Sequence, residues 1–230
     1  MTAGEKTSRW HLFVPKLAGA SLNDRLIACA GAGLGVLAAA FAGLGIQDFL
    51  PALPFLIAPI GASAVLVFVV PSSPLAQPWP VIGGNVISAI VGVAVLHNVP
   101  NLAAAIAIAV GGAILIMSLL RCLHPPGGAA AITTILGAQA VIDAGYVFPI
   151  SIVAANSLAL IAFGFLFHKF TGHSYPHRTA ATPALPVSLL RADIDQAVAE
   201  THETFDIDLA DLEALLLRAE RIAEQRRATR

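Results

Sequence analysis

Charge is what this 230-residue sequence has least of. Charged residues make up 12% of the chain and hydrophobic ones 57%, where a soluble domain carries about 25% charged. Between Leu26 and Phe167 the only ionised residues are Asp48, Arg121 and Asp143. A soluble core does not run that far without a polar face, because a segment apolar all round has to be buried in lipid or in a large protein. The shortage excludes a water-soluble enzyme and a nucleic-acid binder. Only Cys29 and Cys122 are present, too few and too far apart for a secreted disulfide scaffold or a metal or redox spacing. There is no Gly-rich phosphate loop, no carboxylate pair and no metal-ligand cluster, so neither cofactor nor metal is expected. Ser72, His97 and Asp48 share no catalytic motif, and the chain is not expected to be an enzyme.

What fills the chain is six apolar runs: Leu26–Ile46, Ala52–Val70, Val81–Leu96, Leu102–Leu120, Pro125–Ile142 and Val147–Phe167. A membrane-spanning helix needs about 20 residues. The second run contains Pro54 and Pro59, and the fifth opens Pro125-Pro126-Gly127-Gly128, so these two are expected to be broken or re-entrant. Lys6, Arg9, Lys16 and Arg25 precede the first run, whose 21 residues are too long for a signal-peptide core with a cleavage site. If all six runs cross with the N-terminus inside, all 13 Lys and Arg residues fall on the cytoplasmic side with both termini, as the positive-inside rule prefers. If the second and fifth are re-entrant, four helices cross and Arg121 moves outside. Six crossings of a bacterial inner membrane are the expected arrangement.

The expected fold is therefore an all-α polytopic helical membrane protein. An N-terminal segment (1–25) leads into a transmembrane domain (26–168), a linker (169–186) and a cytoplasmic amphipathic segment (187–230). Leu189, Leu190, Ile194 and Val198 mark one helical face of that segment, and Leu209, Leu212, Leu215, Leu216 and Ile222 mark a second. Such a tail offers a surface for a homodimer. Pro59-Ile60-Gly61-Ala62-Ser63-Ala64 lies over Pro125-Pro126-Gly127-Gly128-Ala129-Ala130, and Gly84-Asn85 over Ala155-Asn156. That overlap points to two inverted three-helix repeats, although Gly and Ala are common enough here to produce it by chance.

Polar residues and helix breaks inside the apolar runs are the candidate site. At Arg121-Cys122-Leu123-His124-Pro125-Pro126-Gly127-Gly128 a helix ends and another begins with prolines in its first turn. Uncovered amides at Gly127 and Gly128, with His124 beside them, form an anion site at a helix start. The alternative is a tight turn in which His124 and Arg121 cap the preceding helix. Gly61 and Ser63 offer a similar start or a plain kink. Asn85 and Asn156 either donate to an anion or hydrogen-bond between helices.

Gly61-Ala62-Ser63-Ala64-Val65-Leu66, Ser73-Pro74-Leu75-Ala76-Gln77-Pro78, Ile82-Gly83-Gly84-Asn85 with Ser88-Ala89, and His124-Pro125-Pro126, taken in order, resemble the HPP family of integral membrane proteins from about Val14 to Arg178. That family is commonly described as having four membrane-spanning helices, against six runs here. Plastid and cyanobacterial relatives are implicated in nitrite transport, so the resemblance implies a transporter of a small monovalent anion. Many bacterial relatives continue into paired CBS domains that bind adenine nucleotides. Ala192 to Arg227 resembles the connector before such a pair, which makes a truncation of a longer protein the expectation. The expected function is nitrite or similar anion transport, with Gly61, Ser63, Gly127 and Gly128 at helix starts, Asn85 and Asn156 as amides, and His124 tuning charge. The alternative is a membrane anchor or sensor whose output lies in a cytoplasmic domain.

Overall fold

The computed structural model describes residues 22–172, 174–178, 190–201 and 206–228. Most of the expected N-terminal segment and, in the linker and tail, His173, 179–189 (Leu189 included) and 202–205 lie outside the described residues. All regular structure described is helical. The helices are α1 (Leu22–Gln47), α2 (Pro59–Val69), α3 (Pro78–Asn98), α4 (Leu102–Leu119), α5 (Pro126–Leu136), α6 (Gln139–Ala144), α7 (Ala154–Thr171), α8 (Arg191–Thr201) and α9 (Leu209–Ala228). A 3-10 turn at Pro74–Ala76 precedes α3, and a π-helical turn at Pro149–Val153 runs straight into α7.

Four of these are long and apolar enough to cross a membrane: Leu22–Gln47, Pro78–Asn98, Leu102–Leu119 and Pro149–Thr171. The second and fifth apolar runs give only α2 and α5, with 11 helical residues each. At 1.5 Å per residue each helix reaches about 16 Å, half of the roughly 30 Å hydrocarbon layer. The physical reason lies in their sequences. Pro59 and Pro126 sit in the first helical turn, where a missing N–H is harmless, and the prolines ahead of them block an earlier start.

Small residues set the packing. Ala28, Gly31, Gly35, Ala39 and Gly43 form the buried stripe of α1. A Cβ on Gly31 would lie 2.6 Å from the Phe167 ring, one on Gly35 2.6 Å from Phe68, and one on Gly43 would strike the Phe55 carbonyl. The helix α1 therefore runs antiparallel to both α2 and α7. Ala105, Ala109, Ala113 and Met117 form the matching stripe of α4, antiparallel to α3. Close approach of backbones through such stripes replaces the hydrophobic drive that lipid cannot supply. Of the four spans α3 is the central one, with 50% of its most apolar stretch buried against 22% in α4. Leu34, Phe41, Ile108 and Leu115 point outward, as lipid-facing residues do.

The end of α4 is tightly specified. Cys122 N donates to Met117 O and Arg121 N to Ser118 O, a Schellman closure with Arg121 at φ 53°. A non-glycine residue in that left-handed conformation costs about 1 kcal/mol. Arg121→Gly is therefore expected to raise the thermal midpoint in detergent, by an amount corresponding to about 1 kcal/mol. A lowered midpoint would show that the guanidinium itself holds the turn.

The C-terminal helices form as expected and are pinned to the membrane domain. Asp206 Oδ1 accepts from Ser73 Oγ at 2.7 Å, and His177 Nε2 pairs with Asp211 at 2.7 Å. Arg191 bonds Glu213 between α8 and α9. Ile194 is buried, while Leu190, Leu209, Leu215 and Ile222 stay exposed.

Candidate functional site

Four segments bring uncharged polar side chains together inside the bundle. Ser63 stands on the second turn of α2, Asn85 on α3, His124 in the turn before α5 and Ser157 near the start of α7, and all four are fully buried. Ser63 Oγ and His124 Nε2 are 2.8 Å apart. Asn85 Nδ2 donates to Ser63 Oγ at 3.1 Å and to Ser157 Oγ at 3.3 Å. The other imidazole nitrogen, Nδ1, lies 2.9 Å from the carbonyl of Leu75. Ser88, one turn along α3 from Asn85, donates to Met117 Sδ at 3.3 Å.

Two glycines allow the His-Pro-Pro turn to reach this depth. A Cβ on Gly84 would sit 2.5 Å from His124 Cβ and 2.9 Å from the Cys122 carbonyl. One on Gly127 would sit 2.7 Å from Ser88 Oγ and 2.8 Å from the Gly84 carbonyl. Glycine at both positions lets α3, the turn and α5 pack backbone to backbone.

The expected site residues are thus divided. Ser63, Asn85 and His124 meet in one cluster. Asn156 is placed otherwise: its Oδ1 accepts from Ile57 N at 3.1 Å, and its Nδ2 donates to Ala39 O at 2.9 Å and Phe55 O at 3.0 Å. Both amide hydrogens are consumed in tying the broken approach to α2 onto α1 and α7. The amides of Gly61, Gly127 and Gly128 are not uncovered. They donate to Ala58 O, His124 O and Pro125 O at 3.1, 2.8 and 3.1 Å. The residue ahead of each start, Ala58 before α2 and Pro125 before α5, is itself helical, so the first turn closes on itself and these amides are engaged in place. His124 does not cap α4, whose carbonyls are met by backbone and by Trp79 Nε1 on Leu120 O at 3.1 Å.

Ser157 and the Leu75 carbonyl were not foreseeable as partners. Ser157 carried a faint signal as a second polar residue beside Asn156 in an apolar run. A backbone carbonyl 49 residues from His124 carries none.

The segment Pro71–Gln77 joins this cluster to the tail. Ser73 Oγ accepts from Leu75 N while donating to Asp206, and Leu75 O faces His124. Tyr175 OH donates to Ala76 O at 2.7 Å, and His177 N donates to Gln77 Oε1 at 2.9 Å. Burial pushes the Tyr175 phenol well above its ordinary range, so it stays a donor.

Ser63 and His124 have the spacing of a nucleophile and its base. Ser63 also accepts from Asn85, however, and the pair is closed off from solvent on every side. Among the described residues no three His, Cys, Asp or Glu side chains gather as metal ligands.

Long apolar helices around a buried polar cluster define a polytopic helical membrane protein. Residues 18–176 match the HPP transmembrane region, more than half of the chain, and the protein belongs to the HPP family. It is similar to two transmembrane proteins of Dictyostelium discoideum. One is 44% identical over 88 residues, covering 36% of this chain and 31% of that protein. The other is 36% identical over 120 residues, covering 50% of this chain and 38% of that protein. The chain thus spans about a third of the length of the curated relatives it matches. No solved structure matches it.

Proposed function

We propose that this protein carries a small monovalent anion across the membrane, with nitrite the first candidate, by a path through the Ser63–Asn85–His124–Ser157 cluster. The observation that carries the reading is the cluster itself: polar groups from four segments, converging where two half-length helices start. Nitrite comes first because of the resemblance to plastid and cyanobacterial relatives implicated in its transport.

The packing supports six passes. His97 near the end of α3 stacks on Tyr146, just ahead of the π-helical turn that leads into α7, and Asn85 meets Ser157 further in, which makes α3 and α7 antiparallel. Gly84 lies against the His124 turn, and Gly92 lies against Ala131 and Thr134, which makes α3 and α5 parallel. With α1 antiparallel to α2, the six apolar runs alternate in direction, and residues 48–58 and 120–125 complete the passes that α2 and α5 begin short. The two half-length helices then point their N-termini inward from opposite directions, the pattern of an inverted repeat. In this reading Arg121, Lys169, Arg178 and both termini share the cytoplasmic face.

Magnitudes favour convergence. One helix N-terminus stabilises an anion by about 0.3–1 kcal/mol, up to about 2 when partly buried. Burying an ion costs several kcal/mol even after relaxation. The Asn85 amide, the Ser63 and Ser157 hydroxyls and the His124 imidazole acting together approach that demand, with the dipoles of α2 and α5 behind them although their first amides are engaged, and no single group does. The anion crosses unchanged, and we assign the protein no catalysis.

Proteoliposomes of the full chain are expected to take up nitrite saturably, with formate and chloride as test competitors. His124→Ala should lower the rate at least tenfold while keeping the helical content and the monodisperse gel-filtration peak of the natural chain. Full-rate uptake by that variant would remove His124 from the path.

A second reading, a membrane sensor, is favoured by the bonds from Ser73 and His177 to Asp206 and Asp211 in the C-terminal region. It predicts no saturable flux in the same assay.

A further inference from the structure

The partners around His124 fix where its hydrogens sit. A carbonyl only accepts, so Nδ1 facing Leu75 O carries a hydrogen in every protonation state. Nε2 faces Ser63, which also lies 3.1 Å from Pro59 O and 3.1 Å from Asn85 Nδ2. A hydroxyl has one hydrogen, so the network has two settings. With neutral His124, Ser63 donates to Nε2 and accepts from Asn85. With protonated His124, Nε2 donates to Ser63, whose own hydrogen turns to Pro59 O. Both settings satisfy every atom named without moving a heavy atom.

In both settings Asn85 Oδ1 is left without a partner, although the residue is fully buried. Beside it the Ser157 hydroxyl makes no other hydrogen bond among the described residues. An orphan amide oxygen in a membrane interior is an anomaly that calls for an occupant or a rotation. Turned over about its last bond, the Asn85 amide presents its N–H groups to that place, and its oxygen then accepts from Ser63, whose hydrogen is free for it once His124 is protonated. A planar oxyanion would be held there by Asn85 N–H and Ser157 O–H.

No resident charge competes. The helices α2 and α5 and the Pro74–Ala76 turn contain no titratable side chain, and α3 has only His97, at its far end. Arg121 on the same turn is exposed, and Cys122 is a buried thiol. On α7, His168 bonds Val67 O, and Lys169 is exposed beyond it. Tyr175 donates to Ala76 O. Among the described residues a proton on His124 therefore has no fixed counter-ion, and an anion beside Asn85 has no fixed cation. Burial opposes either charge alone and tolerates the pair.

We propose that His124 takes up one proton with each small oxyanion bound between Asn85 and Ser157, so that anion and proton cross together as a neutral pair. The proposal rests on the transport reading above and adds its stoichiometry and a further ligand, Ser157.

The test is a titration of the purified full chain with sodium nitrite in weakly buffered detergent, following bulk pH. One proton should be taken up per nitrite bound, and nitrite affinity should fall about tenfold per pH unit of rise wherever free His124 is neutral. In liposomes, uptake above the nitrous-acid leak of protein-free vesicles should follow an inward proton gradient and ignore membrane potential. His124→Gln keeps a polar side chain that cannot be protonated, and should show neither proton uptake nor the pH slope. Ser157→Ala should weaken nitrite binding about tenfold. Nitrite binding with no proton uptake, or flux that follows membrane potential, overturns the pairing and leaves anion transport standing. Unchanged affinity in the Ser157 variant removes that ligand. Neither binding nor flux in the natural chain overturns both readings.

Discussion

Gly127→Ala is expected to leave little folded protein, whereas Gly128→Ala, one residue along, should fold as well as the natural chain or better. Alanine in place of glycine within a helix contributes about 1 kcal/mol by propensity, the same at either position. The surroundings decide the sign. At 127 the new methyl meets Ser88 Oγ at 2.7 Å, the Gly84 carbonyl at 2.8 Å and Met117 Sδ at 2.9 Å. Ser88 and Met117 can turn aside, but the Gly84 carbonyl is backbone of the central helix and can yield only if α3 and α5 part. Overpacking costs about 1–3 kcal/mol and occasionally more, and a clash with backbone falls at the upper end, which outweighs the propensity gain. At 128 the nearest atom is Val110 Cγ1 at 3.9 Å, an ordinary contact. Yield on fluorescence-detected gel filtration and the thermal midpoint in detergent read both outcomes. Equal damage at both positions would mean that the face of α5 at Gly128 is packed as closely as the face at Gly127.

Replacing Asn156 should be nearly as harmful, and for a reason unrelated to any ligand. Its amide serves Ile57 N, Ala39 O and Phe55 O at once, joining α7, α1 and the approach to α2. Asn156→Ala leaves the Ile57 N–H and the Phe55 carbonyl without that partner, each worth about 1–3 kcal/mol when buried. A total loss of roughly 2–4 kcal/mol is expected, since membrane hydrogen bonds average toward the low end. Asn156→Asp should be worse still, because it puts a carboxylate against two carbonyls. Asn85→Ala, by contrast, should fold and lose nitrite uptake. A stable Asn156→Ala protein that fails only in transport would move Asn156 from scaffold to ligand.

These paired outcomes show how far the sequence could be read. Apolar length and the absence of charge foretold every helix of the membrane domain except the short α6, and the proline and glycine positions foretold which two would break. The amides expected to be open at Gly61, Gly127 and Gly128 are closed, because whether a first turn bonds to itself depends on the conformation of the residue ahead of it, Ala58 in one case and Pro125 in the other. Asn85 and Asn156 look alike as lone amides in apolar runs, yet one is fully used and the other keeps an oxygen bare. That difference comes from which backbone groups are left over when the second run breaks, a three-dimensional remainder invisible to spacing. His124 was legible as a residue and not as a junction, since its two partners come from α2 and from a carbonyl in the linker before α3.

That linker gives the molecule a mechanical property. Leu75 holds the imidazole by its carbonyl, while Ser73, two residues back, holds both the Leu75 amide and Asp206. Pro71, Pro74 and Pro78 fix the backbone at three positions of this linker, which leaves it little room to slacken. Its inner end meets the ring at the centre of the bundle and its outer end the C-terminal region. Asp206 is thereby joined to His124 by a continuous hydrogen-bonded route through Ser73 and Leu75.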